Sequence, residues 1–587
     1  MLRTLSYRIA LASALLLKLA FSPTFLNAQQ SLADVPAITI RANTRLVVVD
    51  VVVTDRKGQA VTGLKSEDFT VEENGKKQKV SVFVPPGIAN RTAAAPPLVG
   101  VFSNHPENVS PAGIPTVLLL DAANSAFKDQ AYARSQMLKY VVEQGQSGRS
   151  MAVVTLTDRL HVLQHFTSDP QVLLTAIKNF RPEEQILRPG APPPESHGAL
   201  APTGTGGTGG SGIAVSVATA SQALQGFEGI EIAYDLERRT LITLDAMRAL
   251  SRMLGGLPGR KNVVWLTANL PFDLIPEDRV VSDAELMEAL PNVKQKSLGT
   301  IAAGSLAAQQ RAMHGQEIRE AESRLASASI AIYPIDLLGL VSGMESSAAK
   351  VDLISDTALS DRASARISGL TTSHGTMEEV AAQTGGKAYF NQNEIKEGVT
   401  LAASDENASY SLGYYPENKK WDGKLRNIKV KVSQDDTQIR YRKGYFAIEP
   451  GPAKEHNYEQ DVAAALEVDA PSTQVSFMAQ AKPTDPGKMR VVFLVDAHTL
   501  TAEDSGGNKK MNVNLYATVW GAGDKSLAAQ SVKVDKSFDA ATYQQILDHG
   551  MMVPVDLTIP AGGTELRLAV LDNKTGFIGT VSGPLGQ

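Results

Sequence analysis

Uninterrupted apolar runs alternate with amphipathic stretches through the middle of this chain. Runs without polar alternation are typical of strands that are covered on both faces of a parallel sheet. They are Thr116–Leu120, Met151–Leu156, Asn262–Leu266 and Ile330–Ile335, and helical stretches at 129–144, 170–179, 237–254 and 307–328 lie among them. The order predicts an α/β fold over residues 112–400, with a doubly wound, mostly parallel sheet. A further helix at Met377–Gln383 and an edge strand at Lys387–Phe390 complete the prediction.

The flanking regions show the shorter, alternating pattern of β-structure. Residues 38–90 predict a small β-module, in which Asn74 and Gly75 form the tight turn of a hairpin. Residues 405–448 hold too few strands to fold alone, so we expect this segment to pair with the N-terminal module. Residues 470–587 predict a C-terminal β-sandwich of about six strands. The Pro- and Ala-rich segment 85–113 and residues 450–470 are interpreted as linkers.

One long insertion interrupts the α/β pattern. Residues 186–215 are rich in Pro, Gly and Thr, and their low complexity predicts a disordered loop. Two interpretations remain open, a tolerated insertion without chemistry of its own and a flexible arm near the binding face.

The N-terminus has the pattern of a secretory signal peptide over residues 1–28. Arg3 and Arg8 precede a mostly apolar stretch, and Leu26-Asn27-Ala28 predicts cleavage after Ala28. An uncleaved anchor helix is the alternative, although Lys18 interrupts the short apolar run. After cleavage no transmembrane segment is expected, so the sequence predicts a secreted or periplasmic protein.

Composition excludes several classes of function. The 587 residues contain no cysteine, which rules out disulfides, a thiol nucleophile, zinc–thiolate sites and a lipid-modified cysteine. The net charge of −5 offers no global attraction to nucleic acid, and no nucleic-acid partner is expected. A chain of this length is expected to fold as two to four domains.

The end of the first apolar run carries the most informative polar residues. Asp121 and Ser125 follow it directly, and ligands of open α/β sheets bind where strands end and the next helix begins. The chain resembles the von Willebrand factor type A-related family of Acidobacteria in the order and spacing of several segments. These are Val48–Asp55 with Glu67-Asp68-Phe69, Leu118–Asp121 with Gln130–Arg134, Pro258–Thr267, Ile332–Asp336 and Thr384–Tyr389.

The resemblance implies a von Willebrand factor type A-like domain, secretion of the protein and a metal-dependent adhesion site. Such a site holds Mg²⁺ or Mn²⁺ through two hydroxyls and an Asp of a first loop, a Thr of a second and an Asp of a third. This chain keeps Asp121, Ser125 and Thr240, with Thr243 as a second choice for the Thr. Ala123 replaces the middle hydroxyl and Ala268 replaces the third-loop carboxylate. The site is therefore degenerate.

Two interpretations of this site remain open. Asp273 or Asn124 could supply a missing ligand and restore metal-assisted adhesion. Alternatively the site is vestigial, and Asp121 and Ser125 cap the following helix. In either case the predicted binding face includes Asn124, Arg238, Arg239, Asn269 and Asp273.

Signals for catalysis are weak. The nine histidines form no His-Glu-x-x-His pattern, no Gly-x-Ser-x-Gly elbow occurs, and the Gly-rich segment 204–212 lacks the Lys of a phosphate loop. The aromatic residues between Tyr410 and Phe446 fit strand packing better than a carbohydrate or peptide platform. The sequence therefore favours an exported adhesion-type protein that binds an unknown protein partner and is not an enzyme. An envelope hydrolase with an unrecognised site and a purely structural scaffold are the alternatives.

Overall fold

The computed structural model describes residues 46–87, 100–109, 114–144, 149–182, 235–271, 314–315, 317–338, 373–390, 398–400, 402, 405–447 and 458–585. The predicted signal peptide at 1–28, the insertion at 186–215 and Asp273 lie outside these residues. Within the described chain, no helix combines the length and apolar character that crossing a membrane requires.

The strands before the α/β region are hydrogen-bonded to strands that follow it more than 300 residues later. The N-terminal strands are β1 (Val47–Asp55), β2 (Phe69–Glu73), β3 (Lys76–Gln78) and β4 (Val80–Val84), and the later ones are β11 (Ser409–Tyr414), β12 (Leu425–Val432), β13 (Thr437–Arg440) and β14 (Gly444–Phe446). They form two antiparallel sheets, with the orders β13-β1-β11-β4 and β14-β12-β2-β3. Both sheets contribute to one apolar core. Asn74 and Gly75 adopt positive φ angles of 47° and 78° in the turn between β2 and β3.

The central sheet is mixed. Its strands are β6 (Thr116–Asp121), β7 (Met151–Leu156), β8 (Leu160–Thr167), β9 (Lys261–Thr267) and β10 (Ile330–Asp336), in the order β10-β9-β6-β7-β8. Four strands are parallel, whereas β8 runs antiparallel to β7 at the edge. The sequence did not predict β8, because its half-exposed polar residues interrupt any apolar run. The predicted strand Lys387–Phe390 is reduced to one bridge between Tyr389 and Ile335.

Helices cover both faces of the central sheet. On one face lie α1 (Phe127–Gln144) and α2 (Pro170–Asn179), which pack on side chains such as Leu118 and Leu120. On the other face lie α3 (235–255), α4 (317–327) and α5 (373–384), which pack on Val117 and Leu119. Alternate residues of β6 thus enter two separate cores, as they must in a strand whose side chains alternate between faces. The central sheet is therefore buried on both faces.

The C-terminal region also forms two antiparallel sheets around one core. The first contains β5 (Val101–Ser103), β15 (Phe477–Pro483), β16 (Lys488–Val495) and β20 (Met551–Thr558). The second contains β17 (Glu503–Ser505), β18 (Asn508–Gly521), β19 (Lys525–Phe538), β21 (Gly563–Asp572) and β22 (Phe577–Pro584). Helices α6 (Tyr458–Glu467) and α7 (Ala540–His549) complete the region.

Two linker predictions were wrong. Within 85–113, Val101–Ser103 forms β5 and pairs with β15, and a single helical turn follows at Pro106–Val109. Within 450–470, Tyr458–Glu467 is helical and buries Val462, Ala465 and Leu466. Both segments are short and gain their structure from partners distant in sequence, which a local pattern cannot indicate.

A close backbone approach joins the end of α3 to the start of the C-terminal region. The hydroxyl of Thr473 donates to the Met253 carbonyl at 2.9 Å, and its backbone N–H donates to the Arg252 carbonyl at 2.8 Å. The N–H of Gly256 donates to the Thr473 hydroxyl at 2.9 Å. These bonds satisfy carbonyls that the end of a helix leaves without intrahelical partners.

We expect Gly256→Ala to destabilise the protein by about 1–3 kcal/mol or more, because overpacking forces the backbones apart. A Cβ at this position would lie only 1.7 Å from the Thr473 carbonyl oxygen. Thermal and urea unfolding of the full chain measure the effect. Gly375→Ala is the matched control, since a Cβ at that helical position would meet no atom within 4 Å. Equal stability of both variants would contradict the close approach of Gly256 to Thr473.

Candidate functional site

The candidate site lies at the carboxyl edge of the central sheet, where β6, β9 and β10 end side by side. Their last residues are Asp121, Thr267 and Asp336. The strand registers place these three residues in one row, and alternation along each strand directs them to the same face of the sheet. The edge therefore carries two carboxylates with a threonine between them.

Protein donors surround the carboxylate of Asp121, which is completely buried. Its Oδ1 accepts from the backbone N–H of Asn124 at 3.0 Å, and its Oδ2 accepts from the indole Nε1–H of Trp265 at 3.0 Å. The Asn124 carboxamide donates to both oxygens, at 3.1 and 2.9 Å. The Thr267 hydroxyl lies 2.9 Å from Oδ2. Nevertheless burial raises the pKa of Asp121 above its usual value, because desolvation outweighs these favourable bonds.

The hydroxyl of Thr267 links Asp121 to the neighbouring loop. Its hydroxyl lies 2.7 Å from the Asn269 carbonyl oxygen as well as 2.9 Å from Asp121 Oδ2. A hydroxyl has only one hydrogen to donate, so it can serve only one of these acceptors. The hydroxyl also accepts from the backbone N–H of Asn269 at 3.3 Å, so Thr267 holds the third loop against the Asp121 carboxylate.

The residues at this edge do not fit a Mg²⁺ or Mn²⁺ ion. The Asn124 Nδ2 lies within 3.1 Å of both Asp121 oxygens and of the Thr243 hydroxyl oxygen, so an N–H₂ group occupies the space between these oxygens. The reverse orientation of the amide would place its oxygen against the carboxylate, and the observed orientation leaves Asn124 Oδ1 buried without a partner. A Mg²⁺ ion needs oxygen ligands at about 2.1 Å, whereas Trp265 can only donate.

The other predicted ligands have partners within the protein. Thr240 is buried, and its hydroxyl donates to the Leu236 carbonyl at 2.8 Å, one helical turn earlier. Ser125 accepts a hydrogen bond from the backbone N–H of Ala268 at 3.1 Å and so ties the first loop to the third. Neither Asp121 nor Ser125 caps α1, which begins at Phe127. Asp121 instead closes the turn that leads to Asn124.

The predicted binding face divides into buried and accessible residues. Asn124 is buried against Asp121, and Arg239 donates to Asp235 at 2.7 Å within its own helix. Arg238 and Asn269 are exposed at this edge. Phe127 and Leu241 are also exposed, with exposed fractions of 43% and 40%. Sequence analysis missed both, because each lies in a regular helical pattern.

A histidine that the sequence did not predict also lies at this edge. His374, in the first turn of α5, lies 2.9 Å through its Nε2 from Oδ2 of Asp336. The other Asp336 oxygen accepts from the backbone N–H of Leu338 at 2.9 Å. Burial raises the pKa of Asp336, and these hydrogen bonds oppose the shift. The only available signal was that Asp336 ends an apolar run just as Asp121 does.

The aromatic residues of the flanking β-strands mostly lie in the core, as predicted. Tyr410 and Tyr414 are fully buried, and Tyr445 is nearly so. The hydroxyls of Tyr414 and Tyr445 both donate to one oxygen of Glu73 at 2.9 Å. Among these residues, Tyr415 is exposed. The buried tyrosines therefore cannot form a binding platform on the surface.

Comparison with protein-family models gave no match, and comparison with curated proteins gave none either. Among solved structures, the chain is similar to an aerotolerance-related membrane protein from Bacteroides fragilis and to a conserved hypothetical protein BatB from Bacteroides thetaiotaomicron. Each has 12% identity, a TM-score of 0.23, and coverage of 50% of this chain and 98% of the other. It is also similar to a von Willebrand factor type A protein from Catenulispora acidiphila, with 9% identity, a TM-score of 0.19, and coverage of 93% and 73%. Similarities this low carry no argument about function.

Proposed function

We propose that this chain is an exported adhesion-type protein, whose α/β domain is of the von Willebrand factor type A kind and recognises another protein without a metal ion. In this proposal the paired antiparallel sheets are β-sandwich modules that flank the α/β domain. Domain boundaries follow the sequence prediction, with the α/β domain at 112–400 between the module formed by 38–90 with 405–448 and the one at 470–587. The protein acts by surface recognition and not by catalysis.

The exposed apolar side chains near Asp121, whose carboxylate is surrounded by protein donors, support a recognition surface at this edge. Phe127 follows the first loop directly, and Leu241 lies between Thr240 and Thr243, the residue that Asn124 contacts. Phe127 supplies an exposed aromatic ring and Arg238 an exposed guanidinium, and protein-binding hot spots are enriched in aromatic residues and arginine. Because Asn124 occupies the space between the oxygens, recognition here must use direct contacts.

Capture of a partner from envelope extracts of the encoding bacterium tests this proposal, with the full chain as bait. We expect one specific partner to be retained equally in EDTA and in Mg²⁺. Phe127→Asp should weaken its retention about tenfold or more, as the loss of a hot-spot anchor does. Leu527→Asp is the matched control, because Leu527 is an exposed leucine of the C-terminal region.

Two outcomes would overturn the proposal. Release of the partner by EDTA would show that a metal mediates the contact, in spite of the donors around Asp121. Equal retention by wild type and by Phe127→Asp, with loss in Leu527→Asp, would move the recognition surface to the C-terminal sheets.

A further inference from the structure

Strand β19 lies at an edge of the second C-terminal sheet and is 14 residues long. It pairs with β18 along one side, and no strand of the described chain pairs with its other side. The edge strand β20 of the first C-terminal sheet differs, because it carries Pro554, which has no backbone N–H to offer an added strand. A long edge without proline is able to accept a further strand through its main chain.

The backbone groups at the free edge of β19 belong to its odd-numbered residues. The N–H of Asn573, just after β21, donates to the Asn512 carbonyl at 3.0 Å, so Asn512 faces β21. Successive residues of an antiparallel strand direct their N–H and C=O groups to opposite sides, so Val513 faces β19, where it lies opposite Val534. Val534 is therefore hydrogen-bonded to β18, and the residues on either side of it direct their N–H and C=O groups to the free edge.

The side chains that accompany these outward groups are accessible and carry both signs of charge. Ser531, Lys533, Asp535 and Ser537 are all exposed, and they share one face of the sheet, since residues two apart in a strand point the same way. The Nζ of Lys533 lies 3.8 Å from a carboxylate oxygen of Asp535. Lysines alone on an edge strand repel a second copy of that strand. A carboxylate two residues from the lysine makes this edge complementary to itself.

Charge selects one antiparallel register between two copies of β19. A two-fold axis at Val534 places Lys533 opposite Asp535 of the second copy, and the same pair recurs on the other side of the axis. An axis at Lys533 or at Asp535 would place like charges opposite each other, which is destabilising. An axis at Val532 would place both charged residues opposite uncharged ones. In the register at Val534 the outward groups of both copies meet, because each such pair joins two odd-numbered residues.

We propose that the free edge of β19 is a docking surface for a second copy of this chain, and that the two strands pair antiparallel about Val534. Main-chain hydrogen bonds join the second C-terminal sheets of both copies, and the Lys533–Asp535 pairs set the register. The interface uses the free edge of both strands, so assembly stops at a dimer. This inference goes beyond the proposed recognition of a different protein and does not depend on it.

Sedimentation equilibrium of the full chain and its charge variants tests the surface. We expect a monomer–dimer equilibrium in the wild type. Lys533→Asp and Asp535→Lys each place like charges opposite each other, so each should weaken dimerisation about tenfold or more. An equimolar mixture of the two variants restores opposite charges in both pairs and should form heterodimers with about the wild-type affinity. Lys525→Asp is the matched control, because Lys525 begins β19 and lies outside the paired segment.

A cross-link reports the register directly. The chain contains no cysteine, so a single introduced cysteine can form a disulfide only between copies. Val534→Cys faces its own copy in a pair without hydrogen bonds, where the Cα atoms of antiparallel strands lie about 4.5 Å apart, a distance that a disulfide spans. Val532→Cys is the control, since in this register it faces Lys536 of the second copy. We expect oxidation with copper–phenanthroline to cross-link Val534→Cys and not Val532→Cys.

Three results would overturn the assignment. Sedimentation of the wild type as a monomer at every concentration tested would leave the free edge to an extended segment of a different protein. Equal dimerisation by the wild type and by both charge variants would move the contact between copies away from β19. Cross-linking of Val532→Cys in place of Val534→Cys would place the two-fold axis at Val532, so the charged residues would not set the register.

Discussion

Asp121→Ala is expected to lower the free energy of unfolding by about 1–3 kcal/mol, the usual cost of leaving a buried hydrogen-bond donor without its acceptor. The variant removes the acceptor of the Trp265 indole N–H, whereas the amide of Asn124 keeps its contact with Thr243 and the hydroxyl of Thr267 keeps the Asn269 carbonyl. Urea unfolding followed by tryptophan fluorescence measures the loss. Addition of millimolar Mg²⁺ or Mn²⁺ should not raise the melting temperature of the wild type.

Asp158→Ala is the control for this experiment. Asp158 also follows a strand of the central sheet, but its side chain is 64% exposed, so the loss of its contacts with His161 and Thr157 should cost less than about 1 kcal/mol. A loss in Asp121→Ala as small as in Asp158→Ala would mean that the hydrogen bonds to Asp121 contribute little. A saturable rise of the melting temperature with Mg²⁺, absent in Asp121→Ala, would restore the metal-dependent interpretation.

Glu322→Gln is expected to stabilise the protein at pH 8 by roughly 2–5 kcal/mol, estimated from the pKa shift of this carboxyl group. Glu322 lies on α4, is 7% exposed, and has one carboxyl oxygen buried without a hydrogen-bond partner. Burial, and then the charge of Glu379 on α5, raise its pKa from 4.5 to about 8, while Arg319 opposes the shift. Ionised Glu322 is thus an uncompensated charge between two helices.

The sign of the pH dependence follows from proton binding. Between pH 4.5 and about 8 the folded protein keeps the Glu322 proton, whereas the unfolded chain has released it. This contribution to the unfolding free energy is therefore complete below pH 4.5 and is lost as the pH rises through 8. Glu322→Gln cannot ionise and should remove this slope. Urea unfolding from pH 4 to pH 9 measures the slope in both proteins.

Glu378→Gln provides the comparison for Glu322→Gln, because Glu378 is an exposed residue of α5 next to Glu379. It should leave the pH dependence as in the wild type. An unchanged slope in Glu322→Gln, or a slope removed equally by Glu378→Gln, would contradict the assignment of the pH dependence to the buried carboxyl group.

The apolar runs at 116–120, 151–156, 262–266 and 330–335 predicted four strands of the central sheet, and each forms within one or two residues of its prediction. A strand that is buried on both faces has no polar position, so its apolar run is easy to recognise in the sequence. Strands at the edges of sheets were harder to predict. β8 and β5 expose part of their residues, and their hydrogen bonds, not their composition, make them strands. The alternation of strands with helices predicted the class of fold without these elements.

The candidate site was predicted in position but not in chemistry. Asp121 and Ser125 lie at the carboxyl edge of the central sheet, and the apolar residues Ala123 and Ala268 of the neighbouring loops were readable from the sequence. The sequence could not show that the side chain of Asn124 would fill the space between Asp121 and Thr243, which lies 119 residues later. It could not pair His374 with Asp336 either, since nothing local relates a histidine in one helix to a carboxylate 38 residues earlier.

The sequence by itself determined the elements whose signals are local. Apolar runs, helical periodicity and the Asn74-Gly75 turn each depend on neighbouring residues. Tertiary structure alone decided which donors surround Asp121, which carboxylate orients His374, and which distant segments complete each sheet. Those features depend on contacts between residues tens to hundreds of positions apart, and their free energy appears only when the chain is folded.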